Sequence, residues 1–205
     1  VGYFAVYATW RMIFNENDRK RILKPVSGQP GIEADFMDIY RSYFSRTDAR
    51  HPLNRMLYVD TRLYLPNDML VKADRMTMAH GLEARVPYLD HRLVEFASRL
   101  PPELKIKQWW KKKYILKKGM KNRIPQKVIL RAKAGFNIPK SRWIKNELRT
   151  FVMDLLSQQT LKDMGFIDSP FVAEILHQHF TSKADNSFQI WCLLNLSLWW
   201  SHFQK

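Results

Sequence analysis

The chain has 205 residues, 46% hydrophobic and 13% aromatic, enough apolar material to bury a core and too much for an intrinsically disordered polypeptide. Thirty-four Lys and Arg against 19 Asp and Glu leave a net charge of +15, which calls for an anionic partner. The single cysteine, Cys192, excludes an intramolecular disulfide framework and a Cys-rich zinc site and points to a reducing, cytoplasmic setting. In chain order, Tyr3 to Phe14 reads as an aromatic-rich helix, closed by Asn15-Glu16-Asn17-Asp18 and the basic Arg19-Lys20-Arg21. A Pro- and Gly-rich loop, 25–31, precedes a second helix over Glu33–Phe44. Arg55–Leu65 reads as a third, and Pro66, whose missing N–H costs nothing in a first turn, then opens a new helix ending near His80 before Gly81. Asp90 is an N-cap for a helix whose Leu93, Phe96, Ala97 and Leu100 form a buried stripe, stopped by Pro101-Pro102. Tyr114–Met120, Pro125–Leu130, Arg142–Leu156, Phe171–Phe180 and Ser187–Phe203 complete the set, the last apolar on most faces and so expected to pack on several sides. Alternation of the kind a sheet needs is absent, and the fold class expected is mainly α.

Charge is unevenly placed. From Leu104 to Asn146 there are fifteen Lys or Arg and no Asp or Glu, while the other 162 residues hold 19 of each sign. That segment is an anion-facing surface or a solvated basic face. Trp109, Trp110 and Tyr114 interleave with its lysines, as in platforms for single-stranded nucleic acid, although helix packing explains them more simply. The longest strongly apolar stretch, Ile190–Trp200, is 11 residues, short of the roughly 20 that cross a bilayer, so no membrane partner is expected. The chain opens on Val1-Gly2-Tyr3-Phe4 with nothing that reads as a targeting signal, and the expectation is of a segment that begins inside a longer protein.

The common nucleotide and hydrolase signatures, G-x-x-x-x-G-K-[ST], G-x-G-x-x-G and G-x-S-x-G, do not occur among the seven glycines. His177 and His179 are two residues apart and on a helix face different ways, so no metal site is expected in the chain. The informative run is Leu65 to Arg92. Asp74 lies one turn from Leu70, Val71 and Met78, which puts its carboxylate on an apolar stripe where, desolvated, it needs a partner. Lys72, Arg75 and Arg85 are the cations at hand, and Glu83 can join them; the same residue types would equally serve an ion-pair network that only locks helix to loop.

The run L-P-N-D-M-L-V-K-A-D-R-M-T-M-A-H-G-L-E-A-R-V-P-Y-L-D-H-R-L-V-E-F, followed by K-Y-I-L-K-K-G-M from Lys113 and R-A-K-A-G-F-N-I-P from Arg131, resembles glutamine-hydrolysing asparagine synthetases, in the C-terminal part of their synthetase domain. The blocks span roughly Arg50 to Trp143. The resemblance implies that residues 1–205 are the helical C-terminal portion of a domain that is α/β, of the adenine-nucleotide α-hydrolase type, when complete. The family's Ser-Gly-Gly-x-Asp-Ser phosphate loop, its acidic Gly-Glu-Gly-x-Asp-Glu segment and its N-terminal glutaminase domain have no counterpart here, since Ser27-Gly28-Gln29-Pro30-Gly31 is not that loop. Apolar faces that would cover the missing sheet are then expected to be exposed.

The chemistry implied is activation of the aspartate side chain by ATP with Mg2+, giving a β-aspartyl adenylate and pyrophosphate, after which ammonia from glutamine displaces AMP. Lys133, in the Arg-x-Lys-x-Gly-Phe block, is similar to the residue that stabilises charge on the leaving pyrophosphate, with Gly135 lending its loop freedom and Phe136 anchoring it. Asp74, Arg75, Glu83 and Arg85 would form the polar wall beside the adenylate, clustered with Lys133, and the metal ligands would lie in the upstream part. Aspartate, ATP and glutamine-derived ammonia are the partners implied, nucleic acid is not expected, and a homodimer of the full-length protein is left open. By itself the segment is expected to be inactive. Two other readings stand beside this one: a related amidotransferase acting on another carboxylate, and a basic helical nucleic-acid-binding module.

Overall fold

A computed structural model describes residues 3–24, 36–132, 135 and 138–203. The chain divides into two compact units, one formed by 1–7 with 34–134 and the other by 8–33 with 135–205. The mainly α expectation holds, with one addition: two strands of two residues each.

In the first unit, α1 (Tyr3–Thr9) enters, and α3 (Phe36–Ser45) and α4 (Pro52–Val59) follow. α1 is shorter than the helix expected to run to Phe14. Tyr7, Tyr40, Phe44 and Val59 are buried. Their aromatic rings meet edge to face, Tyr7 to Phe44 at 5.6 Å and Phe4 to Phe44 at 4.9 Å, the arrangement the ring quadrupoles favour. The Tyr7 hydroxyl donates to Asp60 Oδ1 at 2.6 Å, and Arg55 Nη2 donates to the Phe44 carbonyl at 2.7 Å.

No new helix starts at Pro66. α4 continues into a π-helical stretch, Asp60–Leu70, which passes into α5 (Val71–Met78). Proline removes a helical donor and crowds the carbonyl four residues back, and the wider π turn accommodates it. Side chains take up carbonyls along the stretch: Thr61 Oγ1 donates to Leu57 O at 2.7 Å and Asn67 Nδ2 to Leu63 O at 2.8 Å. Gly81, at φ +66°, ends the segment as expected of a left-handed terminator. Asp90 caps α6 (His91–Arg99) by accepting from Arg92 N at 3.0 Å. The stripe on α6 is not buried, however: Phe96 is 59% exposed and Leu93 is exposed too, because no described element of its unit covers that face. Met76, Met78, Leu82 and Tyr88 are exposed in the same way.

After α7 (Pro102–Lys105), β1 (Ile106–Lys107) pairs antiparallel with β2 (Lys111–Lys112) in the register Ile106 to Lys112 and Lys107 to Lys111. The intervening turn places Gln108 at φ +53° and Trp109 at φ +64°. Two-residue strands are too short to carry the alternation by which a sheet is recognised in sequence. Short helices α8 (Tyr114–Gly119) and α9 (Gln126–Leu130) follow.

The second unit holds the larger core. α2 (Glu16–Ile22), where the sequence suggested only a closing segment, forms because Asn15 Oδ1 accepts from Asp18 N at 2.9 Å. The expected Arg142–Leu156 helix is split into α10 (Lys140–Lys145) and α11 (Arg149–Leu155). At the break, Asn146 donates to the Arg142 carbonyl from both its backbone N and its Nδ2, each at 3.0 Å. α12 (Gln158–Met164), capped by Ser157, was not anticipated. α13 (Ser169–Phe180) is capped by Asp168, which accepts from Phe171 N at 2.8 Å, and α14 spans Ser187–Phe203 as expected. Ile144, Val152, Val172, Ile190, Leu193 and Leu194 lie at the centre of one buried cluster. Ser197, also buried, donates to the Leu155 carbonyl at 2.8 Å and ties α14 to α11. α14 packs against α10, α11 and α13, as expected of a helix apolar on most faces, while Phe188, Trp199 and Phe203 remain exposed.

His179 is fully buried in this core. Its Nδ1 accepts from Asn186 N at 3.2 Å, which puts the proton of the neutral ring on Nε2, a buried atom with no hydrogen-bond partner among the described residues. Burial first, and then the Lys145 ammonium, push the imidazole below its ordinary value of 6.5, with Asp185 and the backbone at Ser141 opposing. A base with a depressed folded pKa takes up protons more readily when unfolded. Stability is therefore expected to fall as pH drops through 6.5 towards the folded value. Urea midpoints at pH 7.5 and 5.5 check this: wild type should lose stability on acidification, and His179→Asn should lose less; an equal loss in both would assign the effect elsewhere.

Candidate functional site

The residues singled out in the sequence lie on α5 and the turn after it, and all of those described are exposed. Asp74 does not sit in an apolar environment: its helix face opens to solvent, so its carboxylate is not desolvated and no partner is required. Among the described residues neither the Asp74 carboxylate nor the Arg75 guanidinium forms an ion pair. Lys72 pairs instead with Asp68, one turn back on the same helical run, at 2.7 Å, and that hydrogen bond raises the Lys72 pKa. Glu83 and Arg85 form their own exposed pair at 2.8 Å. The expected network is thus two separate local pairs, each of the solvent-exposed kind that contributes at most about 1 kcal/mol.

Arg85 borders a shallow, open depression shared with Val86, Pro87, Leu89 and Asp90. A second small concavity, in the other unit, is lined by Arg21, Phe171 and Glu174, where Arg21 meets Glu174 at 2.5 Å and covers the Phe171 ring at 4.0 Å; no residue expected in the site belongs to it. Lys133 and Phe136 lie outside the described residues. Gly135 is described and exposed.

Among the described residues no cluster of His, Cys, Asp or Glu could hold a metal ion. Mg2+ needs carboxylates converging at octahedral geometry, and the exposed, separately paired acids of this segment do not offer it. No step is assigned to a metal in this chain. Likewise, among the described residues no helix is long and apolar enough to cross a membrane.

The basic segment is the other feature that bears on anions. Lys107, Lys111, Lys112, Lys113, Lys117 and Lys118 are all exposed. Trp109 and Trp110 do not pack on helices: they stand at the hairpin turn, 92% and 69% exposed. The adjacent indoles amid lysines were visible in sequence, but the strands that present them were not.

The sequence model of the family described as Asparagine synthase matches residues 5–201. The chain is 37% identical over 189 residues to a glutamine-hydrolysing asparagine synthetase of Bacillus subtilis, covering 92% of this chain and 29% of that protein. It is 30% identical over 129 residues to a glutamine-hydrolysing asparagine synthetase of Gallus gallus, covering 56% of this chain and 23% of that one. It is also 27% identical over 143 residues to an amidase, chyE, of Penicillium rubens, covering 67% of this chain and 21% of that protein. The chain thus spans less than a third of the length of these relatives. No solved structure matches it. A match running through both compact units, and not only through the motif blocks, places this chain in the asparagine synthase family.

Proposed function

We propose that the chain is part of a cytoplasmic, glutamine-dependent amidotransferase that converts aspartate to asparagine. The reading rests on one observation, the 37% identity across 92% of the chain to a protein named as a glutamine-hydrolysing asparagine synthetase. In this reading the aspartate side-chain carboxylate attacks the α-phosphorus of ATP, pyrophosphate leaves, and ammonia released from glutamine attacks the acyl carbon of the β-aspartyl adenylate to expel AMP. Lys133 supplies a fixed positive charge where pyrophosphate departs, an interaction that strengthens as the P–O bond breaks. Gly135 gives the Lys133 loop its backbone freedom. Asp74, Arg75, Glu83 and Arg85 flank the adenylate. In this reading these exposed residues are desolvated and aligned by segments of the full-length protein.

The test is pyrophosphate release by the intact gene product with ATP, aspartate and glutamine. Aspartate-dependent release with asparagine formed in equal amount is the expected result, and none is expected from residues 1–205 alone. The identity to an amidase favours a second reading, the same activation applied to another carboxylate. Release that ignores aspartate and responds to a different carboxylic acid would select it.

A further inference from the structure

The Lys107–Lys118 stretch does something the proposed reaction does not require. A tight turn holds Gln108 and Trp109 in the left-handed region, an unfavourable conformation for bulky side chains, and in doing so turns two adjacent indoles outward. Six exposed lysines accompany them, and among the described residues none of the six is paired with a carboxylate. Lys111 Nζ sits 4.8 Å from the Trp110 ring centroid and Lys107 Nζ 4.9 Å from that of Tyr114. Trp110 and Tyr114 are thereby each coupled to an ammonium.

A stacking platform for single-stranded nucleic acid presents successive free ring faces, and here a lysine lies over one face of Trp110 and another over one face of Tyr114, leaving Trp109 as the tip ring without one among the described residues. The same unit also exposes Leu116, Val128 and Leu130 within its acid-free segment, side chains on which no base stacks but which a headgroup and acyl boundary receives. Tryptophan prefers that boundary, and clustered lysines are drawn to anionic headgroups.

We propose that the Trp109–Trp110 hairpin tip and its lysines form a peripheral docking site for an anionic phospholipid surface. The tip rests in the interface without crossing it, so this departs from the sequence expectation of no membrane partner while requiring no spanning helix. It is independent of the substrate reading above.

The intact gene product is sedimented with vesicles of phosphatidylcholine alone and of phosphatidylcholine with phosphatidylglycerol, with tryptophan emission followed in parallel. Binding to the anionic vesicles only, weakened by salt and accompanied by a blue shift, is expected. The Trp109→Ala/Trp110→Ala variant should bind them at least about tenfold more weakly, with pyrophosphate release and far-ultraviolet circular dichroism unchanged. Lys111→Glu/Lys112→Glu/Lys113→Glu, which leaves both indoles in place, should bind no better. Absence of wild-type binding, or binding undiminished in either variant, overturns the proposal. So does binding of single-stranded oligothymidylate without vesicle binding, which would assign the tip to nucleic acid.

Discussion

Ile190→Ala is expected to lower the unfolding free energy by about 2–5 kcal/mol, the range for truncating a large aliphatic side chain in a packed interior. Ile190 is fully buried on α14 and belongs to the cluster that holds Ile144, Val152, Val172, Leu193 and Leu194. The loss combines the transfer free energy of the deleted methyl and methylene groups with the cavity they leave. Elements approach it from several helices, so no single one can close the void without disturbing the rest. Alanine is the better helix former, but that gain is at most about 0.7 kcal/mol and cannot offset the cavity. Leu198→Ala, on the same helix but exposed, is the control and should cost about 1 kcal/mol or less. Urea unfolding of both variants at constant m-value reads the difference. If Ile190→Ala falls with the control, the burial of α14 against α10, α11 and α13 is wrong.

The second large effect is on rate. Lys133→Ala in the intact gene product is expected to reduce aspartate-dependent pyrophosphate release by about 100-fold or more, close to 2.7 kcal/mol of transition-state stabilisation. The loss should appear in kcat, because the interaction assigned to Lys133 grows as the leaving group takes up charge and is weaker in the ground state. Lys133→Arg should recover only part of the activity, since a planar fork cannot place a compact charge at the same point. Lys127→Ala, an exposed lysine of α9 in the same acid-free segment, should leave the rate within about twofold. An active wild type with an unaffected Lys133→Ala would reduce Lys133 to one basic residue among fifteen.

What the sequence determined by itself are features whose causes lie within a few residues. Asp90 caps α6 through its own neighbour Arg92, Gly81 ends the α5 segment because a left-handed residue is needed there, and α14 forms around the apolar stretch Ile190–Trp200. The family was legible for the same reason, since its blocks are contiguous strings between Leu65 and Pro139. Burial was not, because an apolar stripe shows which face seeks a partner and nothing about whether one is there. On α14 Ile190, Leu193 and Leu194 meet α10, α11 and α13 while Phe188 and Trp199 stay exposed; on α6 Leu93 and Phe96 are exposed, and on α5 Asp74 is exposed too. Nor was the path through Pro66 legible: proline at a helix start and proline inside a widened π turn read alike until the flanking helices are seen to be continuous. Tertiary structure decided these points because desolvation belongs to pairs of surfaces, whereas a cap or a turn belongs to one short stretch of chain.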